Sequence, residues 1–66
     1  MNTRAENQTI VNAQNLLDYI IAFEEGELSD DKIIALFKYL VESGQIRGLQ
    51  GTYQRTARAL IEAGLI

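Results

Sequence analysis

A chain of 66 residues makes one domain near the lower size limit for folding alone, burying only about 60% of the surface its unfolded form exposes. It contains no Cys and no His. That excludes disulfides, thiolate ligands, and the side chain that most often serves as metal ligand or general base. A net charge of −3 argues against general nucleic-acid affinity, which needs clustered Lys and Arg to release counterions.

Small domains without disulfides or metals commonly gain stability by oligomerising, and a dimer is the expectation here. The charge is uneven along the chain. Residues 1–31 carry one Arg against seven acids, net −6, while residues 32–66 carry two Lys and three Arg against two Glu, net +3. The two halves attract each other, within one chain or between two. The longest nearly unbroken apolar run, Tyr19 to Phe23, is far short of the roughly 20 residues of a membrane span. The first residues are polar, without the apolar stretch of a signal peptide, and a cysteine-free chain suits a reducing compartment. These features predict a cytoplasmic protein with no membrane contact, flexible over residues 1–8 and folded as a single helical domain over residues 9–66.

Helix one is predicted from Thr9 or Asn12 to Glu25. Ala13, Leu16, Leu17, Ile20 and Phe23 follow the i, i+3, i+4, i+7 rhythm of a buried face, with Tyr19 and Ile21 widening it. Helix two begins at Ser29 as cap, with Asp30 and Asp31 in the first turn where the helix dipole favours acids. It runs through Ile33, Ile34, Leu36, Phe37, Leu40 and Val41 to Ser43, apolar over more than half its surface, as a helix packed on both sides would be. Helix three is predicted to start at Thr52 as cap. Its inner stripe is Tyr53, Ala57, Leu60, Ile61 and Gly64, with Gln54, Arg55, Arg58 and Glu62 outside.

Glycine supplies the breaks, since there is no Pro. Glu25-Gly26-Glu27-Leu28, Ser43-Gly44-Gln45-Ile46 and Ala63-Gly64-Leu65-Ile66 each place Gly after an apolar-periodic stretch and an aliphatic two residues later. This is the pattern of a left-handed helix stop. Between helices two and three, Gln45 to Gly51 forms a tight glycine turn that plugs Ile46 and Leu49 into the core. The same reading predicts a positive φ at Gly48 or Gly51. The fold class is therefore all-α, a small three-helix domain that dimerises.

No catalytic constellation is present. The serines and threonines have no His to activate them, and Lys32 and Lys38 lack evident burial. No cofactor or metal is implied, because the acidic run Glu24, Glu25, Glu27, Asp30 and Asp31 reads as a solvated helix end followed by dipole-favoured acids, and no EF-hand loop is present. Leu49 to Arg55 reads as a two-glycine turn in which Gln50 bonds backbone and Tyr53 anchors helix three; it lacks the Lys-Ser/Thr of a phosphate loop. The candidate partner-binding residues are Tyr39, Arg47, Gln54, Arg55 and Arg58. Tyr39 falls on the least apolar side of helix two, as an exposed interface anchor would. Arg55 and Arg58 are i, i+3 neighbours, with Arg47 in the preceding turn and Gln54 beside them.

The stretch from about residue 18 to Ile66, with Glu27-Leu28, Leu36-Phe37, Leu40, Gly44, Leu49-Gln50-Gly51, Tyr53, Arg55, Ala57, Leu60-Ile61, Gly64 and Ile66 at fixed spacing, resembles a family of short tailed-phage proteins. Their shared pattern reads ELxxEE, LFxxLxxxG, then LQGxYxRxAxxLIxxGxI. The chain departs from its relatives at Gln54, where they carry Gly, and at Arg47-Gly48, where they carry an aromatic. The resemblance implies a phage protein acting in the host bacterial cytoplasm, and no specific activity. Together these readings predict a non-enzymatic interaction protein: a homodimer that binds a host or phage protein. The alternative is a helix-turn-helix-like DNA binder working through helix three, although the turn before it is longer than the usual 3–4 residues.

Overall fold

The computed structural model describes residues 10–66; the expectation of a flexible segment over residues 1–8 lies outside them. Among the described residues there are three α-helices and no strand: α1 (Leu16–Glu24), α2 (Asp30–Ser43) and α3 (Gly51–Glu62), with a 3₁₀ turn at Gln45–Gly48 between α2 and α3. The all-α three-helix class predicted from the sequence is therefore correct.

Helix α1 starts later than expected because two asparagines capture the backbone ahead of it. Asn12 Oδ1 accepts from the Gln14 and Asn15 amides at 2.9 and 3.1 Å, and Asn15 Oδ1 accepts from the Asn12 amide at 2.9 Å. The reciprocal pair is a capping box built from amides, which ends one backbone direction and begins another. Asn15 Nδ2 also donates to the Ile10 carbonyl at 2.9 Å, tying down the segment before the turn.

Helix α2 forms where the sequence placed it. Ser29 stands at its N-cap position in an extended conformation, but its side chain makes no capping hydrogen bond. The helix is central, packing against both α1 and α3. It supplies the three fully buried side chains, Leu36, Phe37 and Leu40, and α3 completes the core with Tyr53 and Ala57. Around these pack partly buried residues of every element, among them Leu16, Tyr19, Ile20, Phe23, Ile46 and Leu49. At the centre lies one aromatic ring from each helix. Phe23 meets Phe37 edge-on at 5.2 Å between centroids, Phe23 meets Tyr53 at 5.4 Å, and Phe37 stacks on Tyr53 at 5.9 Å, within the 4.5–7 Å range where aromatic pairs attract.

The helix stops are those the sequence announced. Gly26, Gly44 and Gly64 have φ of 76°, 81° and 76°. At α1 the Glu27 amide reaches back to the Ala22 carbonyl at 2.9 Å, and at α3 the Leu65 amide reaches the Leu60 carbonyl at 2.9 Å, the long bond of a Schellman closure. Gly44 instead hands the chain to the 3₁₀ turn, with the Arg47 amide bonded to the Gly44 carbonyl at 3.3 Å.

Two expectations about the turn before α3 fail. Neither Gly48 nor Gly51 has a positive φ. The reversal is made at Gly44 and by extended backbone at Leu49 and Gln50, so the later glycines need no left-handed geometry. Thr52 is not the cap either. Gly51 is already helical and Gln50 holds the N-cap position without a side-chain bond, its carbonyl accepting from the Tyr53 amide at 2.9 Å.

Candidate functional site

The inner face of α1 is set by Leu16, Tyr19, Ile20 and Phe23, all packed against the core. The expected stripe held Leu17, with Tyr19 only widening it; the helix turns Tyr19 inward instead. Leu17, expected inside, is 66% exposed, and Ile21, one turn on, is 46% exposed. Both lie on the outward side of α1 with Asp18 and Glu25, which are exposed as well. The α1 surface is thus an apolar pair flanked by carboxylates. Sequence reasoning missed it because Leu17 keeps the helical spacing to Ala13 and Ile20 that a buried face also shows.

Across the molecule, α3 turns Gln54, Arg55, Arg58 and Glu62 to solvent, as predicted, while Ile61, assigned to the inner stripe, is 50% exposed. Arg47 from the 3₁₀ turn joins Gln54 and Arg58 at one open hollow of about 260 Å³, floored by Val41, Ile46, Ala57 and Ile61. A second hollow beside it is lined by Gly51, Gln54, Arg55 and Arg58. Local bonds set the posture of two of these side chains. Gln54 Nε2 donates to the Leu49 carbonyl at 3.2 Å, and Arg55 Nη2 donates to Thr52 Oγ1 at 3.3 Å. Four of the five sequence-predicted site residues therefore share one continuous basic surface.

Tyr39 does not belong to that surface, and it is not an exposed anchor. It is half-buried against the core, its hydroxyl accepts from Gln45 Nε2 at 3.4 Å, and it lines a separate hollow with Val11, Asp31, Ile34 and Lys38. Val11, from the segment ahead of α1, is the residue that meets this side of α2 in the hollow.

Glu24 has a role that charge patterning did not reveal. Its Oε2 accepts a 2.7 Å hydrogen bond from the Tyr53 hydroxyl, joining the end of α1 to the first turn of α3. Burial, then the hydrogen bond to Glu24 and the carboxylate's charge, push the Tyr53 phenol up to about 12. The other acids between Glu25 and Asp31 do not converge: among the described residues no group of three or more acids is placed to hold a metal ion. No described helix is long and apolar enough to cross a membrane.

These surfaces have no counterpart to be read from relatives of known role, since no curated protein and no solved structure matches the chain. Residues 11–66 do match DUF7417, a domain of unknown function, and the chain belongs to that family.

Proposed function

We propose that this chain is a non-enzymatic interaction protein of a phage, working as a small helical dimer that binds a host or phage protein. One observation carries the reading: Leu17 and Ile21 stand together on the outer side of α1, 66% and 46% exposed and flanked by carboxylates. Single exposed aliphatics are ordinary on a protein surface. An adjacent pair on one helical face, rimmed by charge, is a small patch of the kind a partner helix or second copy can cover. Burying what remains exposed of each side chain is worth about 1–2 kcal/mol, a sizeable share of the stability of so small a domain.

Size-exclusion chromatography with light scattering tests the dimer. The expected mass is twice the chain's 7.4 kDa, and a monomer at high micromolar concentration overturns it. Pull-down from bacterial lysate tests the further partner, and repeated recovery of nothing above background counts against it.

A second reading is favoured by the row Gln54, Arg55 and Arg58, which lines one hollow on α3: duplex DNA held against that helix. The seven residues from Gly44 to Gln50 separate α2 from α3 by more than a helix-turn-helix allows. A DNA binder must lose affinity steeply with salt, and absence of any mobility shift at low salt removes this reading.

A further inference from the structure

Resting on the dimer reading above, we propose that two copies of this chain pair end for end through a single face, the seam along which α2 meets α3, and leave the outer side of α1 for the further partner. Three open hollows follow one another along that seam. At one end lies the hollow edged by Arg47 and Arg58 and floored by Val41, Ile46, Ala57 and Ile61. The middle hollow shares Val41 and Ile61 with it and adds Lys38, Glu42 and Ile66. The third, at the start of α2, is lined by Asp30, Ile33, Ile34, Leu60 and Leu65. Ile34, Lys38 and Val41 stand at i, i+4 and i+7, which puts all three hollows on one flank of α2. This face is the longer of the two apolar surfaces. It follows the 14 residues of α2, about 21 Å of helix, whereas Leu17 and Ile21 span one turn. Ile61 and Leu65 are 50% and 51% exposed on it, with Ile34, Val41, Ile46 and Ile66 half-buried beside them. A specific interface takes roughly 600 Å² or more from each copy, and a seam two helices wide has the extent that one helical turn lacks.

The order of charges along the seam identifies the occupant. Arg47 and Arg58 line one end, Asp30 lines the other, and Lys38 and Glu42 lie between them, one turn apart on α2. A face with one sign at each end is matched by itself reversed. A second copy laid in the same direction would set every charge against its own kind. Turned end for end about a twofold axis through the middle hollow, it sets Arg47 and Arg58 against the other copy's Asp30, and Lys38 against the other's Glu42. The axis repeats each contact by symmetry, so the same patch serves both copies, as an isologous interface requires. Val41 and Ile61 then pack against their own counterparts at the axis. The apolar middle supplies the affinity. The exposed charges supply direction and encounter rate.

Analytical ultracentrifugation of four variants tests this arrangement, with circular dichroism checking the fold of each. Ile61→Asp places a charge at the axis, and its dimer is expected to dissociate at least tenfold more readily than wild type. Leu17→Asp, on the outer side of α1, is expected to leave the dimer unchanged. A dimer that survives Ile61→Asp, or one that Leu17→Asp weakens as much, overturns the proposal and leaves the dimer reading standing. A wild-type monomer at high micromolar concentration overturns both. Two charge variants test the direction of pairing and decide alone should Ile61→Asp unfold. One carries Arg47→Glu and Arg58→Glu, the other Asp30→Lys, and all three positions are exposed and outside the core. In each variant by itself both symmetry-related contacts set like charge against like, and dissociation at least tenfold easier is expected. An equimolar mixture restores opposite signs at both contacts, and a heterodimer of wild-type strength is expected. Either charge variant dimerising as tightly as wild type, or a mixture no tighter than the separate variants, overturns the proposal.

Discussion

Tyr53 and Glu24, 29 positions apart in sequence, meet through a 2.7 Å hydrogen bond from the phenol to the carboxylate. The Tyr53 ring is in the core while Glu24 is exposed, so the bond marks the boundary between packed interior and solvent. It is also a polar tie from α1 to α3, beside the contact between the Phe23 and Tyr53 rings.

Replacing Tyr53 by Phe keeps the ring contacts and removes the bond. Hydrogen bonds to charged groups are worth about 1.5–3 kcal/mol, and solvent access at Glu24 lowers this to about 1 kcal/mol. Thermal melts at pH 7 are expected to fall by about 4–8 °C, the shift that 1 kcal/mol produces in a domain of this size. An unchanged melting temperature would mean that water serves the phenol equally well.

Burial of the Tyr53 phenol, together with this bond and the charge of Glu24, gives the fold an alkaline limit. The Tyr53 phenol is raised from 10.0 to about 12 in the folded protein. Its contribution is therefore fully present below pH 10 and lost as pH rises through 12, because the unfolded chain releases the proton first. Urea midpoints of wild type are expected to decline across that window, and in Tyr53→Phe the part of the decline due to this phenol disappears. Parallel declines in the two proteins refute the assignment.

Glycine substitutions should separate cleanly by position. Gly44→Ala forces a side chain into a left-handed conformation at φ 81°, at about 1 kcal/mol or more. Gly48→Ala meets no atom within 4 Å and requires no left-handed backbone. That change is expected to be neutral or to stabilise by up to about 1 kcal/mol through loss of freedom in the unfolded chain. Gly51→Ala approaches only the Arg55 guanidinium, at 3.3 Å, which can swing away. Denaturant midpoints for the three variants check the order, and Gly44→Ala melting with the other two would contradict it.

Burial differs sharply between leucines one helix apart. Leu36→Ala leaves a cavity at a fully buried site, with a cost of about 2–5 kcal/mol against a total stability that is itself only of order 5 kcal/mol for a domain this small. Substantial loss of far-ultraviolet helical signal at 37 °C is the expected result. Leu17→Gln, on the exposed face of α1, should change stability by no more than about 0.5 kcal/mol in dilute, monomeric solution. Comparable losses in the two would place Leu17 in the core after all.

Much of this fold is legible in the sequence, and the exceptions share a cause. The three helix-ending glycines are readable because each signals its own local conformation. Helix α2 is readable because Leu36, Phe37 and Leu40 admit only one inward direction. Helix α1 is not, because Leu16, Leu17, Ile20, Ile21 and Tyr19 allow two, and only packing against α2 chooses between them. The late start of α1 escaped because asparagine bonding its own backbone competes with helix formation in a way apolar spacing does not reveal. At the candidate site, the neighbourhood of Gln54, Arg55 and Arg58 follows from helix geometry alone. The addition of Arg47, the hollow's apolar floor and the capture of Glu24 by Tyr53 depend on tertiary placement.

The ring cluster of Phe23, Phe37 and Tyr53 takes one member from each helix, and this governs how the chain comes apart. No pair of helices keeps the cluster whole, so detaching any one of them exposes rings on the other two. The helices therefore have no separate melting points. Amide protons in the middle of α2 should exchange only through opening of the entire domain, while those of the frayed ends exchange earlier. Because the connections between helices are short, assembly should run in microseconds to milliseconds as a single exponential phase. A chain that opens and recloses so quickly samples its unfolded form often, and its resistance to proteases is set by the equilibrium population of that form and not by the rate of opening.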